Sequence, residues 1–256
     1  MDRAHLQSLF DMSGRVAIVT GGTRGIGRAV AEGLVCAGAS VVVASRKADA
    51  CAETEAHLRS LGGEAMGVPA HVGEIADLRA LVARTVDRFG RVDVVVNNAA
   101  NALTQPLGRF TTEAWQKSFD VNLRGPVFLV QEALPYLRAS EHASVVNVIS
   151  AGAFLFSAYV AMYAAGKAAL MAFTRSMAAE YAPLGIRVNA LAPGTVDTDM
   201  VRANPPEAQR SMAEASLMRR AADADEMVGP VLFLASDASS FMTGQVLLVD
   251  GGLVPH

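Results

Sequence analysis

Cysteine, aromatic residues and charge are all scarce in this chain. Its two cysteines, Cys36 and Cys51, form neither a CxxC nor a zinc-ligand spacing. That pattern implies free thiols in a reducing compartment, so a cytoplasmic location is expected rather than a disulfide-stapled secreted one. The five histidines are scattered, with no HxxxH pair on a predicted helix, and no metal site is expected. The formal charge of −3 arises from 22 basic and 25 acidic side chains with no block of either sign. Nucleic-acid binding needs clustered Lys and Arg, so that class of partner is excluded. Met1-Asp2-Arg3-Ala4-His5 lacks the apolar run and small-residue cleavage site of a secretory leader. The uncharged stretch 143–166 has the length of a membrane span. However, Asn147, Ser150, Gly152 and Ser157 interrupt it and Lys167 closes it. A buried strand, a loop and the start of a buried helix are expected there, and no membrane partner.

Apolar residues, in contrast, make up 52% of the 256 positions, and glycine occurs 22 times. The length suits one α/β domain with a well-buried core. The apolar excess over an average domain points to further faces covered by other subunits. Strand-length apolar runs at 16–20, 40–44, 64–70, 92–96, 144–149, 186–191 and 246–249 alternate with helical patterns. Continuous apolar strands separated by helices imply a parallel sheet buried on both faces. Right-handed crossovers make it a doubly wound, Rossmann-type sheet with helices on both faces. The polar, Ala- and Met-rich stretch 197–220, containing Pro205-Pro206, is expected to be an insertion over one edge.

The first strand runs directly into Thr20-Gly21-Gly22-Thr23-Arg24-Gly25-Ile26-Gly27. Glycines allow a tight turn and close approach of backbone to a pyrophosphate, whose charge is favoured at the following helix N-terminus. The spacing is TGxxxGxG, since Val30 occupies the last glycine position of GxGxxG. A site for NAD usually ends its second strand with Asp or Glu, which binds the ribose 2′-hydroxyl. Here Ala44-Ser45-Arg46-Lys47 offers no acid. A guanidinium can bind a 2′-phosphate that a carboxylate would repel, so Arg46 and Arg24 favour NADP(H) over NAD(H).

Tyr163 and Lys167 stand four residues apart at the start of an Ala-rich helical segment and so share one face. A phenol, with its ordinary pKa near 10, needs help to act near neutrality. An ammonium one turn away and a nearby nicotinamide cation would lower that pKa. Tyr159, followed four residues later by Tyr163, lacks such a partner. Ser150 ends a strand, where open α/β sheets place ligand-binding groups. With Asn97-Asn98-Ala99-Ala100, Asn122, Tyr163-Ala164-Ala165-Gly166-Lys167 and Pro193-Gly194, the chain resembles the short-chain dehydrogenase/reductase family over essentially its whole length.

The resemblance implies a seven-stranded sheet, with Tyr163 as acid/base residue. Lys167 would lower its pKa and bind the nicotinamide ribose, Ser150 would orient the substrate oxygen, and Asn122 would hold a water in a proton relay. Gly21, Thr23, Arg24, Gly25, Ile26, Gly27, Ser45, Arg46, His71, Val72, Asn98, Ala99 and Ala100 would line the cofactor. Pro193, Gly194, Val196 and Thr198 would flank its nicotinamide end, with 196–220 as a substrate loop. Three departures are evident: Ala100 where the family usually has Gly, His71-Val72 where an Asp-Val pair commonly meets the adenine, and Gly166 for a frequent Ser. Val41 to Lys47 and His71-Val72-Gly73 resemble the NADP-dependent carbonyl reductase and retinol dehydrogenase branch. Val254-Pro255-His256 is not a peroxisomal signal.

The implied activity is hydride transfer between NADP(H) and an alcohol or carbonyl substrate. Phe154, Phe156, Met200, Met212 and Met218 suit a hydrophobic ketone or secondary alcohol. A 3-oxoacyl-[acyl-carrier-protein] reductase is the alternative, although only Arg124, Arg219 and Arg220 could dock an acidic carrier. A non-catalytic NADP-binding sensor or scaffold is the alternative of a different class. The family's assembly implies a homo-oligomer, a tetramer or else a dimer.

Overall fold

The computed structural model describes residues 1–156 and 158–255. Ser157, one of the polar interruptions named above, and His256 lie outside the described residues. The strands are β1 (Val16–Thr20), β2 (Ser40–Ser45), β3 (Ala65–Pro69), β4 (Val94–Asn97), β5 (Ser144–Val148), β6 (Arg187–Pro193) and β7 (Val246–Val249). They form one parallel sheet in the order β3-β2-β1-β4-β5-β6-β7. The α-helices are α1 (Arg3–Ser8), α2 (Gly25–Cys36), α3 (Ala48–Ser60), α4 (Ile75–Phe89), α5 (Thr112–Phe119), α6 (Gly125–Leu137), α7 (Ala161–Tyr181), α8 (Asp199–Arg202), α9 (Pro206–Glu214) and α10 (Val228–Ala235). No described helix is long and apolar enough to cross a membrane.

Because side chains alternate along a strand, each strand supplies both faces of the sheet. Ala17, Val19, Val41 and Val43 meet Val30 and Leu34 of α2 and Val231 and Leu234 of α10 on one face. Ile18, Val42, Val95 and Val145 meet Leu78 and Leu81 of α4 and Leu129 and Ala133 of α6 on the other. Every residue of β1, β4 and β5 is buried, which is why these strands read as mainly apolar runs.

The segment 197–220 meets Gly251 and Gly252, just past the edge strand β7, through Ser216, Leu217 and Met218. It leaves β6, an interior strand, and turns back over the carboxyl ends of the strands. Val196 and Ala222 form an isolated parallel bridge. Thr198 sits so close to Gly25 that a Cβ there would lie 3.1 Å from the threonine methyl. The segment is braced internally, with Arg202 bidentate on Asp197 at 2.8 and 2.9 Å. Gln209 donates to the carbonyls of Arg202 and Asn204.

Two asparagines within the apolar strands join the sheet to α7. Asn97 Nδ2 donates to Asn147 Oδ1 at 2.9 Å, and Asn147 Nδ2 donates to Thr174 Oγ1 at 2.9 Å. Thr174 Oγ1 in turn donates to the Leu170 carbonyl at 2.8 Å. All three side chains are buried. A buried polar group that loses its partner costs about 1–3 kcal/mol. Asn147→Leu should therefore lower unfolding free energy by about that amount, because it leaves Asn97 Nδ2 only the Pro126 carbonyl at 3.3 Å and removes a donor to Thr174. Urea unfolding at fixed protein concentration measures this; an unchanged midpoint would show that the chain of side chains contributes nothing.

Candidate active site

The strand order reverses between β1 and β4, leaving a crevice at their carboxyl ends. Thr20 and Asn98 clip the two ends together. Thr20 Oγ1 accepts from the backbone N–H groups of Asn98 and Ala99 at 3.0 and 3.1 Å. Asn98 Nδ2 donates to the carbonyls of Thr20 and Gly21 at 2.9 and 3.2 Å. Asn98 is thus engaged with the glycine turn itself, and the half-buried Ala100 follows two residues on.

At that turn Gly21 adopts φ +64°, a conformation that favours glycine. A Cβ on Gly27 would run into the Gly21 carbonyl and the Asn98 amide. Ile26 packs onto the core, and Thr23 is half-buried beside it. Arg24, at the N-cap of α2, is extended and provides no side-chain cap. The first N–H groups of this helix therefore have no capping acceptor, and they lie at its positive end. The result is a bare-backbone cradle suited to a phosphate group.

Ser45 closes β2, and its carbonyl accepts from Ala70 N at 2.8 Å, holding the end of β3 beside it. Arg46 is exposed beyond it, and no carboxylate is present at 45–47. Arg24, the other expected phosphate ligand, pairs instead with Asp199 at 3.2 Å. His71 Nδ1 accepts from Gly73 N at 3.1 Å, which leaves the ring proton on Nε2. His71 therefore presents a donor where an aspartate would present an acceptor. Val72 follows it, half-buried.

Ser150 lies two residues beyond β5, and Tyr163 and Lys167 lie in the first two turns of α7. The Ser150 and Tyr163 side chains are hydrogen-bonded to each other. Lys167 is 1% exposed, with Nζ 5.8 Å from the Tyr163 ring centroid and donating to the Val148 carbonyl at 2.7 Å. Burial pulls the Lys167 pKa down to about 8. It pushes the Tyr163 phenol above its ordinary value, opposed by the Ser150 hydrogen bond. Thus the expected lowering of the phenol by Lys167 is not the direction seen in the protein itself. Loss of water around the ring outweighs the hydrogen bond from Ser150.

Asn122, on a π-helical turn Asp120–Arg124, is buried and fully engaged. Its Nδ2 donates to the Asn101 carbonyl and Oδ1 at 2.9 and 3.1 Å and to Ser118 Oγ at 3.2 Å. Its Oδ1 accepts from Asn101 N at 3.0 Å. The Asn122 side chain thereby fixes the loop that follows Ala100. Asn101, its partner, escaped sequence reasoning, since nothing local marks a loop asparagine as the mate of one 21 residues on. Asn97 and Asn147 were more visible: a polar residue inside a wholly buried strand demands a partner.

Pro193 ends β6, and Gly194 N donates to the Val249 carbonyl at 3.0 Å. A Cβ on Gly194 would press on the Asp250 backbone. Val196 is buried, and Thr198 Oγ1 donates to the Val196 carbonyl at 3.3 Å. These residues border the crevice on the side of Ser150. A separate cleft of about 370 Å³, lined by Arg15, Arg91 and His142 among others, lies at the opposite end of the sheet. Its arginines are committed to Asp237 and Asp93, so it offers no free cation to a ligand.

Residues 21–254 match the family described as enoyl-(acyl carrier protein) reductase. The chain is 38% identical over 245 residues to a short-chain dehydrogenase/reductase of Arabidopsis thaliana, covering 94% of this chain and 95% of that relative. It is 37% identical over 244 residues to human dehydrogenase/reductase SDR family member 4, covering 94% and 88%. A crystal structure of a 3-oxoacyl (acyl-carrier-protein) reductase from Agrobacterium tumefaciens with NADP bound superposes with a TM-score of 0.90 at 36% identity. That match covers 96% of this chain and 97% of the other. With the reversal crevice, its glycine turn and the Ser150, Tyr163 and Lys167 cluster already in place, these likenesses show that the chain belongs to the short-chain dehydrogenase/reductase family of oxidoreductases.

Proposed function

We propose that the chain uses NADP(H) to interconvert a hydrophobic ketone and its secondary alcohol at the Ser150–Tyr163–Lys167 cluster. The observation that carries this reading is the hydrogen-bonded pair of hydroxyls, Ser150 and Tyr163, set above a buried lysine beside a phosphate cradle. The cradle fits a dinucleotide: glycines that cannot bear a Cβ, uncapped helix N–H groups, and an exposed Arg46 in place of an acid. Gly21, Thr23, Gly25, Ile26 and Gly27 would hold the pyrophosphate, with Arg46 and Arg24 on a 2′-phosphate. Lys167, Pro193, Gly194, Val196 and Thr198 would border the nicotinamide end. Bound there, NADP(H) supplies or accepts the hydride. NADP is present in the Agrobacterium neighbour and, at low occupancy, in a putative gluconate 5-dehydrogenase from Beutenbergia cavernae.

In the reduction direction Ser150 and Tyr163 donate hydrogen bonds to the carbonyl oxygen, which makes its carbon more electrophilic. Tyr163 then gives its proton to the developing alkoxide, and its raised pKa keeps that proton available before reaction. Lys167, held by the Val148 carbonyl, stabilises the phenolate left behind. Asn122 keeps the loop after Ala100 in place through Asn101. Exposed Phe154, Phe156, Met200, Met212 and Met218 favour an apolar substrate and make 196–220 its covering segment. The carrier-protein reading is weaker here. Arg220 is bidentate on Glu226, and Arg124 is held by Gly73 and Asp120, so few cations remain to receive an acidic carrier. Exposed Trp115 on α5 and Phe173 on α7 support pairing of these helices between subunits of a homotetramer or dimer. The free thiols Cys36 and Cys51 support a cytoplasmic location.

Tyr163→Phe should reduce turnover by about 10²–10⁴-fold while leaving NADPH affinity nearly unchanged. NADPH oxidation across a panel of diketones, ketones and aldehydes measures the former, and calorimetric titration the latter. Near-normal turnover would remove Tyr163 from the mechanism, and silence of the wild type across the panel despite tight NADPH binding would favour a non-catalytic sensor. Arg46→Ala should loosen NADPH by about three- to tenfold and leave NADH unaffected, the loss of an exposed charge-assisted hydrogen bond; equal loosening of both would refute its assignment to the 2′-phosphate.

Lys167 also makes a prediction about stability. Its pKa is about 8 in the folded protein against 10.5 as the ordinary value. Between these values the unfolded chain binds more protons, so stability attributable to this residue rises with pH. Relative to Lys167→Met, the wild type should gain about 3 kcal/mol between pH 8 and 10.5. Urea unfolding of both proteins across that range measures the gain; parallel curves would show that the ammonium is not destabilised by burial.

A further inference from the structure

We propose that Asp199 is a specificity-determining residue of the cofactor site: it competes with the cofactor's 2′-phosphate for Arg24 and so couples that phosphate to the covering segment 197–214. This inference rests on the reading that Arg24 binds the 2′-phosphate. Arg24 occupies the glycine turn, and Asp199 begins α8 in the segment that returns over it. Arg24 Nη1 lies 3.2 Å from Asp199 Oδ2. Among the described residues this is the one ion pair between the covering segment and the turn. Thr198, the preceding residue, already packs on Gly25, so the pair is seated on a real contact and is not a chance meeting of long side chains.

One guanidinium cannot serve both anions fully. Arg24 is bonded through a single nitrogen, and both side chains are largely exposed, at 71% and 59%. An exposed pair of this kind is weak and easily exchanged, whereas a phosphate offers more charge and more acceptor oxygens. NADPH therefore draws Arg24 away from Asp199, and NADH, which lacks the phosphate, leaves the pair intact. By linkage, the free energy that holds Asp199 to Arg24 is subtracted from NADPH binding alone. The braces from Arg202 to Asp197 and from Gln209 to Asn204 let the segment respond as a unit.

The test is calorimetric titration of NADPH and NADH into wild type, Asp199→Asn, Arg24→Gln and the double variant. Asp199→Asn should tighten NADPH by about two- to fivefold, the range of an exposed ion pair, and leave NADH unchanged. Arg24→Gln should loosen NADPH, and Asp199→Asn should then have no further effect. Equal tightening of NADPH with or without Arg24 would reduce Asp199 to general charge repulsion and overturn the competition. Loosening by Arg24→Gln with no effect of Asp199→Asn would likewise overturn it while sparing the assignment of Arg24. An unchanged NADPH-to-NADH ratio in Arg24→Gln would instead overturn that assignment. Amide hydrogen exchange over 199–214 should be faster in the NADPH complex than in the NADH complex; equal rates would overturn the coupling.

Discussion

The clip between Thr20 and Asn98 is the constraint on which the site depends. At the point where the sheet reverses, β1 and β4 carry their chains apart, and no ladder hydrogen bond can continue beyond their ends. Thr20 Oγ1 and the Asn98 carboxamide replace that ladder with four hydrogen bonds across the gap. This keeps the crevice open and sets the height of the glycine turn relative to the loop after β4. Gly27 must then lack a side chain, because the space it faces is already taken by the clip. The bare glycine turn is therefore a consequence of that local arrangement.

The fold spends stability at the opposite wall of the crevice. Among the described residues Lys167 carries the largest of the fully buried side chains, yet its ammonium meets one backbone carbonyl and no carboxylate there. An uncompensated buried cation is costly, and a Met of similar length would pack there without that cost. In the proposed mechanism that cation would gain a partner only when the phenol gives up its proton. Such groups are stabilising at the transition state and burdensome before it. The Asn97–Asn147–Thr174 chain has the reverse character, a buried polar network satisfied at every step that fixes α7 against the sheet.

How much of this was legible follows from how local each signal is. Seven apolar runs gave seven strands within a residue or two, since burial on both faces writes itself into each strand independently. The turn 20–27 and the Tyr163–Lys167 spacing were legible because each lies within one turn of backbone. Partnerships made across the fold were not. Arg24 looked free for a phosphate, but its pairing with Asp199 depends on where a segment 175 residues away returns. The partnership of Asn122 with Asn101 likewise depends on a π-helical turn that no local pattern marks.

The Tyr163 phenol shows that burial has to be set beside any pairwise argument about its charge. Two residues one helical turn apart do share a face, and an ammonium does favour a phenolate. The same helix face, however, is the buried one, and the burial that confines Lys167 also strips water from the phenol. Desolvation acts on each group alone, whereas their mutual attraction appears only when both are charged. With Lys167 already depressed to about 8, the pair stays ammonium and neutral phenol around neutrality. That is the protonation state the proposed reduction step requires of its donor. Oxidation of an alcohol requires the phenol to lose its proton first, which higher pH assists until Lys167 itself begins to discharge.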